Sequence, residues 1–158
     1  MVLIDMITKK SKYAFQALIF LAAASSGQPV LIADLAKGAN VPRKFLEFIL
    51  LSLRKGGLLQ SRVGKGGGYT LALPANRITI GSIVRILEGD FAPLQCLSTT
   101  NYRRCGECQD EARCGIRLTM SEVNEVLTNV MDKLTLADMI ERGESARNSL
   151  ENIVDFNI

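Results

Sequence analysis

The sequence predicts a mainly α fold with a small β wing: a winged helix-turn-helix followed by a long C-terminal dimerisation helix. Three observations lead there. Two short amphipathic helical patterns, Ile32–Lys37 and Pro42–Lys55, are joined by the tight turn Gly38-Ala39-Asn40, the arrangement of a helix-turn-helix. A glycine-rich hairpin follows directly, with Leu58–Val63 and Tyr69–Leu73 as strands and Gly64-Lys65-Gly66-Gly67-Gly68 as its tip. Ile116, Met120, Val123, Leu127, Val130 and Leu134 then step by 4, 3, 4, 3 and 4, an a/d seam of nearly three heptads.

The first helix is expected from about Thr8 to Ala24, ending at Ser25-Ser26-Gly27. Lys9, Lys10 and Lys12 before the apolar run Tyr13–Ala24 imitate a secretory signal. Gln16 interrupts that run, however, and Ala14, Ala17, Leu18, Leu21 and Ala22 recur at the spacing of a packed helix. The run is also too short to span a bilayer. In the helix after Pro42, Phe45, Leu46, Ile49, Leu50 and Leu53 form the expected buried side, and Gly56-Gly57 the left-handed cap. Thr79 reads as the N-cap of a helix to about Glu88, carrying Ile80, Ile83, Ile86 and Leu87. Thr135-Leu136-Ala137-Asp138 has capping-box character and opens a final short helix, and the polar tail after Arg142 is expected to be loosely held. Three regions follow: a reading domain over 1–90, a cysteine-rich loop over 91–114, and a dimerisation helix with its tail over 115–158.

Charge separates along the chain. Residues 1–90 carry 12 Lys/Arg against 5 Asp/Glu, and residues 91–158 carry 7 against 11, so a net charge of +3 hides a basic front half and an acidic rear. A basic half with a helix-turn-helix and wing is the electrostatic footprint of a nucleic-acid reader. The glycines of the wing tip permit close approach to a phosphate backbone, and Arg62 and Lys65 supply charge there. They do not form a nucleotide-binding phosphate loop, because no Gly-Lys-Ser/Thr follows and no helix opens at that point. The sequence contains no histidine, which removes Ser-His and Cys-His catalysis and imidazole metal sites together. No enzymatic activity is expected.

All four cysteines fall within nineteen positions, Cys96, Cys105, Cys108 and Cys114, spaced C-x8-C-x2-C-x5-C. Three chemistries suit such a cluster. An iron–sulfur cluster takes thiolates, with Arg103, Arg104, Arg113 and Arg117 offsetting their charge. A four-thiolate zinc site has the ligand number but only one C-x2-C knuckle. A thiol–disulfide switch needs no metal. On the residues alone, zinc and a cluster rank level. A metal-binding interaction protein without a nucleic-acid target is the contrasting reading, and salt-sensitive binding to duplex DNA separates the two.

The segments Lys12-Tyr13-Ala14, Leu53-Arg54-Lys55-Gly56-Gly57-Leu58, Gly66-Gly67-Gly68-Tyr69-Thr70-Leu71 and Thr135-Leu136-Ala137-Asp138, with cysteines between them, resemble the Rrf family of bacterial winged-helix regulators, iron–sulfur and nitric-oxide-sensing types among them. The resemblance runs from about Met6 to Ile140. It implies a cytoplasmic homodimer on a dyad-symmetric operator of double-stranded DNA, with no membrane association. The residues it points to for DNA are Arg43, Lys44 and Glu47 on the second helix, and Arg62 and Lys65 in the wing; Phe48 stands where relatives are often polar. Met120, Val123, Leu127 and Val130 would form the dimer contact. Cluster-binding relatives use three cysteines in this loop, the last two separated by five residues. Cys108 and Cys114 match that pair, and Cys96 matches the first by its place after the preceding helix. Where some relatives have a histidine ligand this chain has Arg117, and where others have an N-terminal acid it has Lys12, so Cys105 becomes the natural fourth ligand. The resemblance places a cluster (2Fe–2S or 4Fe–4S) first, a metal-free thiol switch second and zinc third. A change at the loop would then alter the spacing of the two wings, and with it the fit to half-sites about one DNA turn apart.

Overall fold

Thr8 opens the first helix, α1 (Lys9–Ala23), by accepting a hydrogen bond from the Lys10 N–H at 3.2 Å. Ala14, Ala17, Leu18 and Leu21 are buried along one face, so the apolar run is a packed element of the core. The computed structural model describes residues 7–24 and 27–155; Met6, and Ser25 and Ser26 at the expected end of α1, lie outside them.

Helix α2 (Ile32–Gly38) and helix α3 (Arg43–Lys55) follow, with Asn40 in a left-handed turn conformation at φ 53° between them. Leu46, Ile49, Leu50 and Leu53 form the buried stripe of α3. Phe45 does not join it: it is 61% exposed. Its position lies at the edge of that stripe, and its ring packs instead on Tyr13 of α1, with centroids 6.1 Å apart at 50°. The helix ends in a Schellman motif. Leu58 N–H bonds Leu53 C=O and Gly57 N–H bonds Arg54 C=O, both at 3.0 Å, with Gly57 at φ +78°.

The wing is an antiparallel pair, β1 (Leu59–Arg62) and β2 (Gly68–Leu71), in register from Leu59↔Leu71 to Arg62↔Gly68. Val30 forms an isolated antiparallel bridge to β2, exchanging backbone bonds with Tyr69 at 3.0 and 2.9 Å. That close approach explains Gly68. It sits at φ +143°, and a β-carbon there would collide with the Val30 carbonyl.

Helix α4 (Ile80–Glu88) is capped by Thr79, which accepts from Ser82 N–H at 3.1 Å. It buries Ile80, Ile83, Val84 and Leu87, while Ile86 lies against Gly56 at the end of α3. Its far end is fastened to α1: Glu88 accepts from Ser11 Oγ at 2.7 Å and from Thr8, and pairs with Lys10 at 3.3 Å.

Helix α5 (Gly115–Lys133) leaves the cysteine loop with Cys114 at its N-cap. At its far end the chain returns to α4, with Ile80 N–H bonding Leu134 C=O and Leu136 N–H bonding Ile78 C=O, both at 2.8 Å. Thr135 and Asp138 form the expected capping box: Asp138 accepts from Thr135 N–H at 2.7 Å and Thr135 Oγ1 from Asp138 N–H at 3.2 Å. The helix it opens, α6 (Leu136–Asp155), is 20 residues long. The expectation of a short helix is thus corrected. After Arg142 the chain holds good helix formers such as Glu144, Ala146 and Arg147, and the single Gly143 costs only about 1 kcal/mol against them.

Candidate functional site

The outer face of α3 carries Arg43, Lys44, Glu47 and Phe48, all exposed, in the element that a helix-turn-helix presents to a groove. Arg43 Nε is already paired with Glu47 one turn on, at 3.2 Å. Arg62 and Lys65 are exposed at the wing, beside Val63. Arg54 Nη1 donates to Ser61 Oγ at 3.0 Å and links the base of α3 to the wing. The basic residues singled out in the sequence are thus all exposed, on α3 and on the hairpin that follows it.

On α5 the expected seam splits between two faces. Met120 and Leu127 are half-buried, and Leu127 packs on the core of its own chain beside buried Met131. Val123 and Val130 are each 49% exposed, and Ile116 69%. The exposed apolar line includes Val126, 64% exposed, which sequence reasoning missed. Its signal was present: Ile116, Val123, Val126 and Val130 also follow heptad spacing, one step round from the stripe that turns inward.

The cysteine loop begins where α4 ends. Asp90 accepts hydrogen bonds from Ser98 Oγ and Thr99 Oγ1 at 3.0 Å, from Thr100 N–H at 3.2 Å, and from Thr99 N–H. Burial works to raise the Asp90 carboxyl, but these donors outweigh it and hold it below its ordinary value. Arg103 N–H bonds back to Gln95 C=O at 3.1 Å, and Tyr102 donates to Glu111 at 2.8 Å, so both limbs of the loop are tied.

The four cysteines line one cavity of about 520 Å³ together with Arg103, Arg104, Ile116 and Arg117. Cys96 is buried, Cys108 and Cys114 are partly covered, and Cys105 is exposed. The Arg117 backbone N–H, with the Cys108 thiol and the Ile116 N–H, holds Cys114 below the ordinary thiol value. Desolvation first, and then its hydrogen bond to Cys114, push the Cys108 thiol up. Arg117 Nε, in the cavity wall, is buried without a hydrogen-bond partner.

The donor set has the chemistry of a thiolate-bound centre: four sulfurs, a helix N-terminus and guanidinium groups around them. The guanidinium-bearing residues Arg103, Arg104 and Arg117 in the same lining suit a ligand assembly of net negative charge. A single zinc ion would need its donors about 2.3 Å from one point. Among the described residues no three cysteine, aspartate or glutamate side chains gather in that way.

Three comparisons bear on this arrangement. Residues 7–142 match the Rrf2 model, described as an iron-dependent transcriptional regulator. The chain is 42% identical over 150 residues to a putative helix-turn-helix transcriptional regulator, Rrf2-like, of Rhodobacter capsulatus, covering 93% of this chain and 100% of that one. Among solved structures it is similar to the IscR of T. potens (TM-score 0.66, 28% identity, 89% of each chain). It is also similar to CymR, the global cysteine regulator of B. subtilis (TM-score 0.67, 27% identity, 86% of this chain and 96% of that one).

Proposed function

The chain belongs to the Rrf2 family of transcriptional regulators, and on that premise we propose that it is a cytoplasmic homodimer whose affinity for a dyad-symmetric operator is set by an iron–sulfur cluster in the Cys96–Cys114 loop. The observation that carries the reading is the cavity shared by Cys96, Cys105, Cys108 and Cys114 at the head of α5. Likeness to an IscR, and a family described as iron-dependent, support it. None of the described helices is long and apolar enough to cross a membrane.

Cys96, Cys108 and Cys114 would hold the cluster, with Cys105 as fourth ligand. When bound, a cluster supplies a centre whose charge changes with its oxidation state. The chain's own residues provide the route from that centre to DNA. Cys114 sits at the N-cap of α5, and the other end of α5 is bolted to α4, which packs on α3. Residues 1–90 act as the reader, 91–114 as the sensor loop and 115–158 as the dimerising part. Arg43, Lys44 and Glu47 meet base edges or phosphates from α3, and Arg62 and Lys65 meet phosphates from the wing.

A second reading is favoured by the place of Cys108 and Cys114 on one cavity, and by likeness to a cysteine regulator. In a metal-free switch these two thiols form one S–S bond, giving two protons and two electrons to a hydroperoxide that leaves as alcohol and water.

Anaerobic purification with an absorption spectrum, iron and sulfide assays and gel shifts decides between them. A cluster gives a coloured protein, bleached by Cys96→Ser, Cys108→Ser or Cys114→Ser and weakened by Cys105→Ser. A colourless protein whose DNA affinity responds to peroxide selects the switch. One zinc per chain would reject both.

A further inference from the structure

The face of α3 turned to solvent is not uniformly basic. Lys44, Phe48, Leu51 and Lys55 are all exposed and lie at i, i+4, i+7 and i+11, one stripe of the helix. Phe48 is 75% exposed, more than any other aromatic residue in the core-bearing part of the fold, and Leu51 is 38% exposed. Phe45 has its own partner in Tyr13, whereas no described ring stacks on Phe48. An apolar pair flanked by lysines, with Arg43 beside it, is poorly suited to a phosphate-only contact. It is also small for a protein interface, because charge closes it at both ends.

We propose that Phe48, supported by Leu51, reads the C5-methyl group of thymine in the major groove while the flanking lysines meet the phosphates. The proposal rests on the DNA-reading role of α3 argued above and adds which base it selects. The reasoning is one of complementarity. Base edges in the major groove offer hydrogen-bonding groups throughout, and the thymine methyl is the apolar feature among them, a known partner for phenylalanine. Lys44 and Lys55, one turn or more to either side, match the strands that border the groove. Covering one methyl contributes on the scale of a buried methylene, equivalent to about a fourfold change in affinity.

The test uses the full chain and duplexes enriched from a random-sequence library by repeated binding. Each thymine is then replaced by deoxyuridine, which removes only the methyl group. One thymine per half-site should show about a fourfold loss for the unmodified protein. Phe48→Ala should bind the thymine and deoxyuridine duplexes equally, with an unchanged salt slope and unchanged melting temperature. The proposal is overturned if the unmodified protein ignores every such replacement, or if Phe48→Ala keeps the preference. It is also overturned if Phe48→Ala changes the mass in solution, since the ring would then serve a protein contact. Absence of any salt-dependent duplex binding would bring down the DNA-reading role itself, an outcome distinct from loss of the methyl preference alone.

Discussion

Arg85 of α4 and Asp132 of α5 meet end to end, Nη1 to Oδ1 and Nη2 to Oδ2, both at 2.7 Å. The guanidinium also lies over the Phe91 ring, 4.9 Å from its centroid, at the start of the cysteine loop. One side chain thus joins α4, within residues 1–90, to the helix leaving the cysteine loop and to the root of that loop. Asp132→Asn keeps the shape and removes the charge. The pair is partly exposed, so the expected loss of stability is only about 0.5–1 kcal/mol, or roughly 1–4 °C in melting temperature. The larger expected effect is on coupling. The difference in operator affinity between cluster-loaded and stripped protein should shrink, and the exchange Arg85→Asp with Asp132→Arg should restore part of it. An unchanged difference in gel shifts would exclude this pair from the route.

Neighbouring residues on α5 should respond in opposite ways. Val126 faces solvent and Leu127 packs on the core of its own chain. If the dimer contact runs along the exposed line of α5, Val126→Asp places a charge in it and should yield a folded monomer whose melting no longer depends on protein concentration. Leu127→Asp drives a charge into the fold and should cost about 3 kcal/mol or more. Light scattering paired with thermal melts checks both. A dimer that survives Val126→Asp would move the contact off this line.

These two positions also show how far the sequence could be read. The helix-turn-helix, the wing and the caps at Thr79 and Thr135 are set by local rules of spacing, glycine and capping, and they appear where those rules place them. The face that an amphipathic helix turns inward depends on what packs beside it. Heptad spacing alone could not assign Leu127 to the core and Val126 to the surface. Phe45 is the same case, drawn out of the stripe by Tyr13, a partner thirty-two positions away in sequence. At the loop, cysteine spacing identified the four residues lining the cavity, but not Asp90, which anchors the loop through hydroxyl and backbone donors that carry no sequence signature.

Glu88 gives a pH prediction with a definite sign. Burial tends to raise its carboxyl, but the hydroxyls of Thr8 and Ser11 and the Lys10 ammonium outweigh that and leave it below its ordinary value. A carboxylate with a lowered folded-state value stabilises the fold above its unfolded value, and that contribution disappears as pH falls through the folded value. Asp90 acts in the same direction. Stability should therefore fall on acidification below the ordinary carboxylate range. Glu88→Gln should flatten that part of the curve and reduce stability near neutrality by about 1 kcal/mol. Denaturant melts across the acid range measure it; an unflattened curve would assign the acid loss to other groups.

The last prediction concerns the charges that face DNA. Lys65 stands exposed at the wing tip, whereas Arg43 is partly neutralised by Glu47 at 3.2 Å. Each phosphate contact contributes about 0.9 to the slope of log affinity against log salt. Lys65→Ala should lower that slope by about one and weaken all duplexes alike. Arg43→Ala should lower it by less, because part of that charge is already answered within the helix. Glu47→Ala should do the reverse, freeing Arg43 and tightening binding to random duplex while narrowing the margin between operator and random sequence. Anisotropy titrations at several salt concentrations compare the three variants directly. Slopes unchanged from the unmodified protein for all three would show that neither Arg43 nor Lys65 carries a phosphate contact.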